Sequence, residues 1–312
     1  MAATVPAQPA AFDDEDIHIS KVTFWTRLRR HKLAIAGIVV LAIMVLSAVF
    51  AAQLAPFNPD AIDNVHWQGT PLPPCFQDGS QCGAHQLGTD EVGRDLLSRL
   101  LFGARISLTV GLFAVIMEVL IGTTLGAIAG YYGGWVDYAL MRLTDVFLSI
   151  PLLPLLLVLT AIVAASSSKA ALSFGVIVVI IGALSWPPVA RLVRASFLSL
   201  REREFAEAAR ALGNNDGRII FRHLLPNAIA PIVVQATLDV ANVIILESTL
   251  SFLGLGIQPP TASWGNMLAN AQSNLQTAWW AAVFPGLCIL ITVLAINYIG
   301  DGLRDALDPN MR

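Results

Sequence analysis

The chain is short of charge. Asp, Glu, Lys and Arg make up only 13% of its 312 residues, against about 25% in an average soluble domain. Lysine is nearly missing: Lys21, Lys32 and Lys169 are the whole complement, and none follows a glycine. A phosphate-cradling G-x-x-x-x-G-K-[ST] loop is therefore excluded. H-E-x-x-H and G-x-S-x-G are absent too, which removes the common zinc-protease and α/β-hydrolase arrangements. No potassium-filter sequence occurs. The histidines are scattered, and no His or second Cys pair stands at metal-ligand spacing beside Cys75 and Cys82. No nucleophile or metal cluster for an intramembrane enzyme emerges from what remains.

What the chain has is apolar length. Hydrophobic residues make up 55% of it. They gather in six runs, roughly 33–54, 106–130, 138–165, 171–190, 228–252 and 278–300, each near the 20 residues or so that a membrane span needs. The expected fold is all-α and integral to a membrane, with six transmembrane helices. Lys21, Arg27, Arg29, Arg30 and Lys32 precede the first span. Arg191, Arg194, Arg201, Arg203, Arg210, Arg218 and Arg222 lie between the fourth and fifth, and Arg304 and Arg312 follow the sixth. The opposite side holds Arg94, Arg99 and Lys169, with Arg105 at its edge. This asymmetry puts both termini in the cytoplasm.

The expected organisation is a cytoplasmic tail (1–32), a first span (33–54) and an extracytoplasmic segment with an interfacial helix (55–105). A five-helix core (106–303) follows, carrying a cytoplasmic loop at 196–226, and then a short cytoplasmic tail (304–312). The acidic run Asp13–Asp16 reads as solvated tail. The first apolar run is too long for a cleavable signal and lacks a small-residue cleavage site. Trp135, Trp279 and Trp280 fall at span ends, as interfacial aromatics do.

Cys75 and Cys82 lie in the outer segment, where disulfides persist. A bridge between them would stabilise that segment by about 2–3 kcal/mol on a chain-entropy argument; the alternative is two free thiols. Cys288 reads as span interior. "TDEVGRDLLSRLLFG" offers Asp90–Arg94 and Asp95–Arg99 at i,i+4, with Leu96, Leu97, Leu100 and Leu101 on one face. It reads as an interfacial helix that also suits docking of a soluble protein.

Acids in apolar stretches must face the bundle or water. Glu118, Asp239 and Glu247 are candidates for a translocation path, or for structural pairing; Asp145 has Arg142 nearby for the latter. Gly122, Gly126 and Gly130, like Gly103, Ser107 and Gly111, form small-residue stripes for close helix packing. An exposed stripe at 122–130 would suit a second, similar subunit.

The densest charge lies in "REREFAEAARALGNNDGRIIFRHLLPN", 201–227. Read as a helix over 201–212, it places Phe205, Ala208, Ala209 and Leu212 on one face. Glu207 falls within reach of Arg203 and Arg210. Gly213 stands where a left-handed helix stop belongs. Asn214, Asn215 and Asp216 offer caps for a second short helix, "GRIIFRHLL", and Pro226 marks the entry to the fifth span. Such a knob suits a partner's groove, or rests on lipid headgroups; its alanines favour the groove.

"EAARALG", nine residues, then "HLLP" resembles the EAA loop of bacterial ABC importer permeases. Glu207, Ala208, Ala209, Gly213, Leu225 and Pro226 match it in order and spacing, and His223 replaces the usual Ile. "HQLGTDEVGRDLLSRLLFGARISLTVG" (85–111), "LGLGIQPPTASWGNML" (253–268) and "GDGLRDALDP" (300–309) resemble the C-type permease of dipeptide and oligopeptide importers. The resemblance covers roughly 20–312. It implies a type I importer permease fold in a bacterial inner membrane and a non-catalytic chain that binds no cofactor or metal. ATP and Mg would sit on two cytoplasmic ATPase subunits that dock on the EAA residues with Phe205 and Leu212. A homologous second permease would complete a heterodimer, and an extracytoplasmic binding protein would deliver peptide; nucleic acid has no part. Importers of nickel and glutathione share these motifs, so such cargo is the alternative reading. A passive channel, which would work without an ATPase, is the remote one.

Overall fold

The computed structural model describes residues 27–29, 31–63, 69–77, 85–166 and 174–307. They are helical, with isolated bridges Ile62–Arg94 and Thr89–Asp95 and no strand among the described residues. In chain order the helices are α1 (Lys32–Val49), α2 (Ala51–Leu54), α3 (Leu96–Tyr132), α4 (Gly134–Ser149), α5 (Leu152–Ser166), α6 (Phe174–Ser185) and α7 (Pro187–Leu200). There follow α8 (Glu204–Ala211), α9 (Asp216–Arg218), a π-helical turn (Ile219–Leu224), α10 (Leu225–Phe252), α11 (Trp264–Ala271) and α12 (Trp280–Leu307). Four helical stretches are long and apolar enough to cross a membrane, and two bent pairs bring the number to six when each pair counts as one span.

Proline explains the bent pairs. Pro151 follows Ile150, whose backbone is extended at φ −95°, ψ 126°, as a residue before proline prefers. There α4 and α5 meet at 82°. Pro187 and Pro188 open α7, and the missing N–H groups break the ladder from α6, giving a 43° bend. The third and fourth predicted spans are thus each two limbs, and α7 continues to Leu200, well past the predicted boundary at 190.

The predicted interfacial helix and second span are one helix. Asp95 caps α3, which runs 37 residues, about 55 Å at 1.5 Å per residue. That exceeds the roughly 30 Å hydrocarbon core, so α3 is longer than an upright span requires. The Asp90–Arg94 pair forms at 2.7 Å. Asp95 does not pair with Arg99, because its carboxylate is occupied: it accepts the Ser98 N–H at 2.7 Å and hydroxyl at 2.6 Å, and meets His85 Nδ1 at 2.9 Å. Arg99 is buried and turns instead to Asp90, at 3.3 Å, and Asp60, at 3.5 Å. Burial, and then the adjacent Asp90, push the Glu91 carboxyl up from its ordinary range. Trp280 is buried and donates its indole N–H to the Thr89 carbonyl at 3.2 Å. Cys75 is disulfide-bonded; Cys82, its expected partner, lies outside the described residues. Cys288 is free and half-buried.

The stripe of Gly122, Gly126 and Gly130 is not exposed. It is the seam between α3 and α7. A Cβ at Gly122 would lie 2.7 Å from Val189 Cβ, and one at Gly130 2.6 Å from Phe197 Cβ. At Gly126 it would strike the Ala190 carbonyl. Val189, Val193 and Phe197, at i, i+4 and i+8 on α7, are the fully buried knobs that fill this groove.

Candidate functional site

The charged stretch is built onto the end of that seam. Within α8, Ala206 and Ala209 turn inward and join Val193, Phe197, Ile219 and Leu224 in one buried cluster. Phe205, Ala208 and Leu212 point out, Leu212 at 82% exposure. The four-residue face expected from spacing is therefore split. With 3.6 residues per turn, 206 and 209 share one stripe and 205, 208 and 212 another. Helix α8 starts at Glu204, later than the expected 201, because Arg203 is already extended at φ −81°, ψ 149°. Glu207 is exposed and makes no ion pair with Arg203 or Arg210 among the described residues. Arg210 donates instead to the Arg201 carbonyl at 3.0 Å.

Gly213 holds φ +74°. Its N–H reaches the Arg210 carbonyl at 2.9 Å and the Asn214 N–H reaches Ala209 at 3.3 Å, the two bonds of a Schellman stop. The Asn215 side chain accepts the Arg218 N–H at 3.0 Å and restarts the helix. The second short helix does not stand apart from the fifth span. Helix runs unbroken from Asp216 to Phe252, because the π turn widens the ladder just ahead of the proline: the Leu225 N–H goes to Ile220, five residues back. His223 lies in that turn, Leu225 is half-buried and Pro226 exposed.

Three features here were not legible in the residue pattern. Phe221 is 71% exposed on the π turn. The Arg201 guanidinium donates to the Gly130 and Tyr131 carbonyls, at 3.2 and 3.3 Å, at the end of α3. The Tyr131 hydroxyl donates to Asp216 at 2.7 Å. These bonds tie the knob to α3. Arg201 follows α7 in sequence while the carbonyls it meets close α3, so no local pattern announced this contact, although cations suit that end of a helix dipole.

The intramembrane acids separate into two groups. Glu118 on α3 and Asp239 on α10 are buried, close enough to act on each other electrostatically, and line one cavity of about 510 Å³. Asp239 also accepts from the Gln235 amide at 3.0 and 3.1 Å and from Asn242 at 3.4 Å. Glu247 is elsewhere and fully buried. It accepts the Ser107 hydroxyl at 3.2 Å and the Ser251 hydroxyl at 2.7 Å. Those hydroxyls in turn accept the Trp264 and Ile257 N–H groups, at 3.3 and 3.0 Å. The Glu247 network thus fastens the loop before α11 onto α3 and α10. Asp145 is exposed and pairs with Arg191 more closely than with Arg142.

Residues 122–312 match the family described as the binding-protein-dependent transport system inner membrane component. The chain belongs to this family. Residues 22–74 also match the N-terminal transmembrane domain of oligopeptide transport permease C. The dipeptide transport system permease protein DppC of Alkalihalophilus pseudofirmus is 43% identical over 92% of this chain and 88% of its own length. The glutathione transport system permease protein GsiD of Pectobacterium atrosepticum is 39% identical over 100% of this chain and 97% of its own. The di/tripeptide permease DppC of Pseudomonas aeruginosa is 40% identical over 93% and 92%. Among solved structures, a chain of the inward-facing MetNI methionine ABC transporter matches at a TM-score of 0.54 and 19% identity, covering 67% of this chain and 96% of that one. That likeness fixes the fold as the type I importer permease fold. This family member is a multi-pass membrane permease subunit of the ABC importer class.

Proposed function

We propose that this permease carries dipeptides or short oligopeptides inward, forming half of a pathway with a second permease. Its charged knob docks on ATPase subunits that bind ATP and Mg, and an extracytoplasmic binding protein supplies the cargo. The observation that carries the peptide reading is near-full-length similarity, at about 40% identity, to relatives named for dipeptides and di/tripeptides. The glutathione-named relative keeps a γ-linked tripeptide in view. Exposure of Phe205, Leu212 and Phe221 on a rigidly tethered knob supports docking there. The non-catalytic assignment rests on the missing nucleotide loop and on relatives named as permeases.

The experiment is uptake into vesicles. The chain reconstituted alone should move no labelled dipeptide when ATP is added. With a homologous second permease, ATPase subunits and a binding protein added, uptake should become ATP-dependent, and excess glutathione should compete poorly. Transport by the single chain would overturn the assembly proposed; selective uptake of glutathione would overturn the cargo.

The proposed orientation keeps the cytoplasmic tails, the extracytoplasmic segment 55–105 and the cytoplasmic loop 196–226. Exposed Ala61 and Gly217 fall on opposite sides. In a Cys288→Ala background, Ala61→Cys should react with an impermeant maleimide in spheroplasts and Gly217→Cys only after lysis. Equal reactivity at both would sink the orientation.

A further inference from the structure

The cavity at Glu118 and Asp239 has an unusual balance of hydrogen-bonding groups. Glu118 is 2% exposed, yet its Oε2 has no hydrogen-bond partner among the described residues. Ser185 lines the same cavity, and its buried hydroxyl is unpartnered as well. Among the described residues, the groups acting on Glu118 and Asp239 are each other and the Gln235 and Asn242 amides, with no Lys, Arg or His. Elsewhere the wall is apolar, with Phe147, Pro151, Leu246 and their neighbours. Both acids stand near the middle of their apolar runs, 106–130 and 228–252.

Leaving a buried acceptor unmet costs about 1–3 kcal/mol, more for a charged group. A proton shared between the two carboxyls would satisfy one oxygen of each and still leave Glu118 Oε2 and the Ser185 oxygen without donors. A group that brings several donors and a positive charge meets the whole set. A primary ammonium brings three donors and no acceptor. The side-chain acceptors around the cavity include Glu118, Asp239 and Ser185, with the Asn242 amide oxygen beside them.

Resting on the peptide reading above, we propose that Glu118, Asp239 and Ser185 form a midmembrane station for the α-ammonium group of a peptide's N-terminus. The apolar wall takes the first side chain. The station gives the charged end of the cargo a partner where hydrocarbon offers none. It selects for a free amino terminus after the binding protein has released the peptide.

The test compares Ala-Phe with propionyl-Phe, its des-amino analogue, in vesicles carrying the complete transporter and its binding protein. The binding protein's own preference is the same for every permease variant, so a change in the uptake ratio reports the permease. Glu118→Gln and Asp239→Asn should each lower the Ala-Phe to propionyl-Phe ratio at least tenfold. Ser185→Ala should lower it about threefold, and it carries the test if the acid variants do not accumulate. Equal loss for both substrates would mark the acids as structural and overturn the station. An unchanged ratio with undiminished uptake would overturn it too. If the unaltered transporter hydrolyses ATP but imports neither compound, the peptide reading itself falls and the station with it.

Discussion

Gly126→Val should leave almost no assembled permease in the membrane. The added Cβ would strike the Ala190 carbonyl and approach Val193 Cβ to 2.8 Å. A carbonyl inside a helix cannot rotate away without breaking its own hydrogen bond, so α3 and α7 must separate. Separation uncovers Val189, Val193 and Phe197 together, and it loosens Gly122 and Gly130 on either side. Overpacking of this kind costs typically 1–3 kcal/mol, and more where backbone must move; we expect about 3 kcal/mol or above. The knob would suffer as well, because Ala206 and Ala209 sit on the same cluster. Gly217→Val is the control, since a Cβ there meets nothing within 4 Å and the loss is limited to helix propensity. Membrane abundance and the apparent unfolding midpoint in detergent read both variants. A Gly126→Val protein with normal abundance and midpoint would mean that the seam is looser than these distances imply.

The glycine seam also shows which features of the fold could be read in advance. Glycines at i, i+4 and i+8 announce a close approach, but not the helix that makes it. The counterpart, Val189, Val193 and Phe197, was present in the sequence and obscured by Arg191 and Arg194 interleaved with it on the same helix. Apolar runs located the four long apolar helical stretches and the two bent pairs. The bends at Pro151 and Pro187 shifted limits that hydropathy alone draws straight. The continuity of α3 was hidden by Ser98 and Arg99, polar residues that read as interface until they are seen to meet Asp95 and Asp90 in the interior. Gly213 and Asn215 were legible because caps are local: their geometry depends on three or four neighbours. Ala209 was misplaced because a face drawn from one short helix ignores what lies beneath it. The contact of Glu118 with Asp239 joins residues on two helices far apart in the chain, so only the packing of α3 against α10 brings them to one cavity.

Gly213→Val should abolish coupled transport while leaving the membrane domain intact. At φ +74° with open space around it, Gly213 has no neighbour for a new side chain to strike. The cost is conformational: a β-branched residue held left-handed loses roughly 1–2 kcal/mol. The chain can relieve that strain only by giving up the Schellman bonds to Ala209 and Arg210. The angle between α8 and the helix beginning at Asp216 then changes, and the outward set Phe205, Ala208 and Leu212 is misaimed. Gly213→Asn tests the cause directly, since asparagine tolerates the left-handed region and should retain most uptake. Glu207→Lys attacks the same surface without strain. Glu207 is exposed and holds no ion pair with its basic neighbours among the described residues, so reversing its charge removes no internal contact. It does set a third positive charge near Arg203 and Arg210. Both Gly213→Val and Glu207→Lys should insert normally, and peptide uptake should fall at least tenfold. Either the ATPases no longer co-purify, or they hydrolyse ATP without moving peptide. Gly213→Val should separate from Gly213→Asn on both readouts. Normal ATPase recovery and normal uptake in Gly213→Val and Glu207→Lys, at normal abundance, would make the stretch a surface helix with no part in coupling.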